Sequence, residues 1–162
     1  LSSAASDVYK RQLLLLVAAV MMGCFSFCSL AQVQTLQFSL DFSALGFHYQ
    51  GEPTDGAPSG TFLGTWYFFI LSVTTMLVYI IDIFLFGNLQ LQKKVCLIGV
   101  LMTVASFAAC AALGYNAVEG MQQIQWSSVF YVAPAFALIA AILAWSRMQS
   151  DQNKLRAADR IR

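Results

Sequence analysis

The chain has 162 residues, of which 59% are hydrophobic and only 10% charged, against about a quarter charged in soluble domains. So few charges cannot cover a water-facing surface, so an ordinary soluble globule is excluded. The formal net charge of +1 and the scarcity of basic residues exclude an electrostatic nucleic-acid binder as well.

The start of the chain needs separate treatment. Residues 2–12 read, codon for codon, like translated sequencing adapter, which predicts that residues 1–12 are not native and that the true start is missing. Such segments are set aside in fold reasoning. The other reading of Lys10 and Arg11 before an apolar run is a signal peptide, although no small-residue cleavage site precedes the polar loop and no large exported domain follows.

Residues 13–162 then form one predicted membrane domain. A spanning helix needs about 20 mostly apolar residues, and four stretches supply them: about 13–31, 62–87, 95–115 and 127–146. An outer loop covers 32–61, short turns join the later spans, and a tail covers 147–162. We expect an all-α four-helix transmembrane bundle embedded in the lipid bilayer, with a homo-oligomer or a membrane-protein partner possible.

Charge sets the expected orientation. Leaving aside Lys10 and Arg11, every Lys and Arg lies in the turn after the second span (Lys93, Lys94) or in the tail (Arg147, Lys154, Arg156, Arg160, Arg162). The loop 32–61 and the turn near Glu119 have none. By the positive-inside rule both termini are cytoplasmic. Trp66, Tyr67, Tyr115, Trp126 and Trp145 fall at span ends, where amphipathic rings prefer the headgroup level.

In the first outer loop, Leu36, Phe38, Leu40 and Phe42 alternate with polar residues, and Phe47 and Tyr49 continue the period. That alternation predicts a small β-hairpin lying over the helix ends. His48, the only histidine, has no Cys, Asp or Glu at ligand spacing and is read as a surface residue. Cys24, Cys28, Cys96 and Cys110 all lie within apolar stretches, so no disulfide framework is expected.

Helices in lipid pack through small residues. The third span carries Gly99, Thr103, Ser106, Cys110 and Gly114 on one face, the fourth Ala133, Ala137, Ala140 and Ala144, and the first Ala19, Gly23 and Ser26. Pro134 is expected to bend the fourth. In the second span Thr65, Ser72, Thr75, Tyr79 and Asp82 share one arc, which makes its inner face polar. An acid inside a membrane segment is a functional hypothesis by default. Two readings of Asp82 stand together: anchoring through Lys93, Lys94 or Arg147, and ion or substrate handling. In the tail, Asp151 with Lys154, Arg156 with Asp159, and Asp159 with Arg162 are spaced for helical pairing. Contact with anionic headgroups or docking to a partner both suit this tail.

The closing residues Arg156, Ala157, Ala158, Asp159, Arg160, Ile161 and Arg162, with Leu143, Ala144 and Asp151, resemble the end motif of a Bacteroidota family of small four-span membrane proteins, domain-of-unknown-function family 4293. Ile83, Phe84, Leu85, Phe86, Asn88, Leu91 and Gln92 resemble that family's first cytoplasmic turn, although Gly87, Leu89 and Gln90 replace more basic residues. The resemblance spans about 12–162. It implies an inner-membrane location, a chain complete at Arg162 and no assigned activity.

Three functions follow as expectations. The first is a non-enzymatic structural or accessory subunit, assembling with itself or with a membrane-protein partner. The alternative is a small proton-coupled transporter using Asp82, Tyr79, Thr75 and Ser72. An enzyme is not expected: no metal-ligand cluster, nucleophile–base pair or phosphate-cradling loop is spaced in the sequence, and the outer cysteine pairs of quinone-linked disulfide generators are missing. No cofactor is expected. The tail residues Arg156, Asp159, Arg160 and Arg162 are the candidate docking motif.

Overall fold

The computed structural model describes residues 2–34, 38–50, 60–117 and 123–159. Four helices dominate it: α1 Ser2–Phe27, α2 Trp66–Phe84, α3 Leu89–Ala117 and α4 Ser128–Asp159. Each contains a stretch long and apolar enough to cross a membrane. They pack in an antiparallel ring, each helix against its neighbours in sequence, with α1 closing on α4. A short 3₁₀ turn, Leu85–Gly87, joins α2 to α3.

Helices α2 and α3 turn polar residues inward and large apolar residues outward. On α2 the buried positions are Phe68, Ser72, Thr75, Tyr79 and Asp82, while Ile70, Leu77, Ile81 and Phe84 are exposed. On α3, Thr103 and Ser106 are buried while Leu97, Ile98, Leu101 and Val104 are exposed. In water that arrangement would strand apolar patches far larger than monomeric soluble proteins tolerate. In lipid it is the stable one, because hydroxyls satisfy one another and the leucines meet acyl chains.

Small residues allow the close approach. Ala133, Ala137, Ala140, Ala141 and Ala144 of α4 are buried, facing α1 and α3. The Cys96 thiol of α3 donates to the Ala141 carbonyl at 3.5 Å. Gly23 of α1 lies against Met76, whose sulfur would be 3.3 Å from a β-carbon added there. Pro134 lies within α4, and the helix continues through it as one element to Asp159.

The region after the first span is larger than a hairpin. Five short strands, β1 Ala31–Gln34, β2 Ser39–Ser43, β3 Gly46–Gln50, β4 Thr61–Gly64 and β5 Gln123–Trp126, form one antiparallel sheet in the order β4-β3-β2-β1-β5. The expected hairpin is its centre, β2–β3. The additions combine outer-loop residues (Gln32 to Gln34, Thr61) with residues expected in the first and second spans (Ala31; Phe62 to Gly64) and in the second outer turn. Residues 35–37, 51–59 and 118–122 lie outside the described part, and with them the start of the alternation at Leu36 and the acids Glu52, Asp55 and Glu119.

One face of this sheet closes the bundle. Ala31, Val33, Leu40, Phe42 and Phe47 are buried, and Phe42 stacks on Phe47 with centroids 4.4 Å apart. The other face carries the cross-strand row Gln125–Gln32–Asp41–His48–Thr61. The chain enters α2 through Thr65, whose hydroxyl donates to the Ala44 carbonyl at 3.0 Å. Thr65 therefore ties sheet to helix and stands before the α2 stripe, not within it. Trp66 and Tyr67 are exposed at this junction.

Candidate functional site

The α2 stripe meets the α3 seam directly. Thr75 Oγ1 lies 3.3 Å from Ser106 Oγ, and the Tyr79 hydroxyl lies 2.8 Å from Thr103 Oγ1. The remaining hydrogen bonds run back along each helix: Ser72 donates to Phe69 O at 3.0 Å, Thr75 to Leu71 O at 2.8 Å, Thr103 to Gly99 O at 2.9 Å and Ser106 to Met102 O at 2.8 Å. Gly99 makes room for the Tyr79 ring: a β-carbon there would come within 2.7 Å of Cε1. Farther along, Cys110 is buried and Gly114 lies under the Trp126 indole.

Asp82 sits one turn beyond Tyr79 and is fully buried. Neither oxygen of its carboxylate finds a well-aligned donor among the described residues. The Cys96 thiol, at the edge of hydrogen-bonding geometry, and the Arg11 guanidinium, through its charge, are the groups that act on it. Arg11, on α1, is only 4% exposed and lies 3.6 Å from the Asp151 carboxylate of α4. The expected partners Lys93, Lys94 and Arg147 do not reach Asp82. The reason is helical phase: Gln92 and Cys96, a turn apart on α3, occupy the face toward Asp82, while Lys93 turns to α4, where it bonds Gln149.

Gln92 is the residue that sequence reasoning missed. Fully buried, it donates from Nε2 to the Asp82 backbone carbonyl at 3.1 Å, while its Oε1 has no hydrogen-bond donor among the described residues. Asn88 caps α3, its Oδ1 accepting the Leu91 N–H at 3.2 Å, as N-cap asparagines do. The motif residues Asn88 and Gln92 are thus the cap and the brace of this turn. A buried glutamine beside an apolar run was the available signal.

The charged end also holds two surface cavities. One, of about 520 Å³, is lined by Asp7, Arg11, Asp151 and Lys154 with apolar walls from Phe86, Leu89 and Leu155. The expected Asp151–Lys154 pair is present there at 3.8 Å, and Lys154 also reaches Asp7 at 3.8 Å. The second lies between α3 and α4. Arg156 is exposed on α4; the Asp159 side chain, Arg160 and Arg162 lie outside the described residues. At the sheet end His48 is half-buried, its Nδ1 3.3 Å from the Thr61 hydroxyl. All four cysteines are free, with Cys24 exposed on α1 and Cys28 exposed just beyond its end. Among the described residues no three His, Cys, Asp or Glu side chains converge as a metal site would require.

An antiparallel four-helix ring with a hydroxyl-zippered interior, an apolar exterior and a small sheet over one end defines a small membrane protein. The chain belongs to the family described as Domain of unknown function (DUF4293), whose model matches residues 11–161. That match begins at Arg11, inside the stretch that resembles adapter. No match to a curated protein was found.

Proposed function

We propose that this protein is a non-enzymatic accessory subunit of a bacterial inner membrane, with both termini and the α2–α3 turn in the cytoplasm. It acts by packing against a membrane-protein partner or a second copy of itself, with the α4 tail as its cytoplasmic docking element. The observation that carries this reading is the pairing of the α2 stripe. Ser72, Thr75 and Tyr79 are satisfied by helix carbonyls and by Thr103 and Ser106, as helix-joining polar groups in lipid are, so these three hydroxyls act as glue between helices. The orientation is supported by the one-sided distribution of Lys and Arg.

A second reading rests on a different observation. Among the described residues neither oxygen of the buried Asp82 carboxylate has a well-aligned hydrogen-bond donor, and Arg11, which acts on it, also lines the cavity at the charged end. A small proton-coupled transporter would use such an acid. Reconstituted vesicles carrying a pH-sensitive dye separate the two. The accessory reading predicts proton movement no faster than in empty vesicles under any imposed solute gradient. Solute-dependent movement that disappears in Asp82→Asn, with the protein still folded, would establish the carrier instead.

A further inference from the structure

The cavity between α3 and α4 differs in charge from its neighbour across α4. We infer that it binds the phosphate group of an anionic phospholipid. It measures about 300 Å³ and its polar lining includes Lys93, Lys94, Arg156, Gln90 and Gln152, with no acid. None of the three cations has an acid partner among the described residues. Two acids at this end, Asp7 and Asp151, line the other cavity, where Arg11 and Lys154 offset them. Among the described residues, positive charge is therefore balanced on the α1 side of α4 and unbalanced on the α3 side.

The sequence places these groups together by helical period. On α4, Trp145, Gln149, Gln152 and Arg156 recur every three to four residues and so face one way. On α3, Gln90, Lys93, Lys94 and Leu97 do the same. Lys93 is held in place: it bonds Gln149 and its ammonium lies 5.0 Å from the Trp145 ring centroid. Lys94 and Arg156 are exposed and free to close on an anion. Arg supplies a forked pair of donors that matches phosphate oxygens, and Lys a point charge.

Two features favour a lipid over a soluble phosphate. Trp145 marks the membrane interface, which puts the cavity at headgroup depth. Its remaining wall is Leu97, half exposed, with Leu101 exposed one turn further along α3. An acyl chain can follow that apolar track while the headgroup stays among the cations. Basic pockets between helices at a membrane surface recognise anionic headgroups in this way. The site uses no residue of 2–12 and does not depend on the accessory reading.

The test is native mass spectrometry of the full chain in neutral detergent, titrated with phosphatidylglycerol or phosphatidylcholine. Wild type should retain phosphatidylglycerol preferentially, and Lys94→Gln with Arg156→Gln should lower that retention by on the order of tenfold. Arg147→Gln removes an exposed cation at the same end that does not line the cavity, and should change nothing. Equal retention of both lipids, or an equal loss in Arg147→Gln, would overturn the proposal. Inorganic phosphate is added in a third arm. Failure to displace the lipid at millimolar concentration supports the lipid site, while full displacement overturns the lipid assignment in favour of the free anion.

Discussion

Tyr79 of α2 and Gly99 of α3 fit as a ring in a groove. A β-carbon at position 99 would lie 2.7 Å from Tyr79 Cε1, and the absence of one lets the phenol reach Thr103 at 2.8 Å. Packing and hydrogen bonding at this seam are therefore one device. Gly99→Leu should destabilise the bundle by about 1–3 kcal/mol through overpacking. Tyr79→Phe keeps the ring and loses the bond, and should cost only about 0.6 kcal/mol, the average for interhelical hydrogen bonds in lipid. Unfolding in mixed micelles measures both; an equal loss in the two variants would contradict the groove account.

The sheet depends on Gly46 in a similar way. Its φ is +143°, and a β-carbon would collide with the Leu63 carbonyl of β4. Gly46→Ala should therefore cost about 1–3 kcal/mol of local stability and free β4 from β3. Limited proteolysis near Thr61 should quicken in this variant while the helices stay protected. Unchanged cleavage would mean that the sheet tolerates the added atom.

Asp82→Asn tests what holds the buried acid. Among the described residues its carboxylate finds no well-aligned donor, and the Cys96 thiol and the Arg11 guanidinium are the groups that act on it. Asn keeps the size of the side chain and removes a buried charge, so stability should change by less than about 1 kcal/mol or rise. Loss of about 3–5 kcal/mol is the signature of breaking a buried ion pair, and would mean that the Arg11 charge anchors the bundle through Asp82.

The proposed orientation predicts opposite labelling of two exposed positions. Gln50→Cys, at the sheet end, should react with a membrane-impermeant maleimide on intact cells. Asn153→Cys, on the α4 extension, should react only after lysis. The reverse pattern would overturn the positive-inside assignment.

The helices were legible because an apolar run of spanning length leaves the backbone few alternatives in lipid. The sheet was half legible. Leu40, Phe42, Phe47 and Tyr49 alternate over enough residues to show a period of two, and they form β2 and β3. The outer strands are four residues each and adjoin apolar spans, so their period is lost in the run beside them. Ala31 and Phe62 read as helix for that reason. β5 lay in a turn whose Gln-Ile-Gln-Trp alternation becomes meaningful only once Ala31 is seen opposite Trp126. The stripe and seam were read from spacing alone, and spacing fixes which residues share a face. It does not fix how two helices are phased against each other, which is why Gln92, and not Lys93, faces Asp82.

The central claim is that this protein works by association. The most direct measurement is co-purification of the protein, tagged in the outer loop, from mildly solubilised membranes, with mass spectrometry of what accompanies it. The account predicts a recurrent membrane-protein partner, or a second copy, at near-equal amount, reduced when residues 156–162 are deleted. Recovery of a monomer without companions, alongside Asp82-dependent proton movement in vesicles, would contradict it.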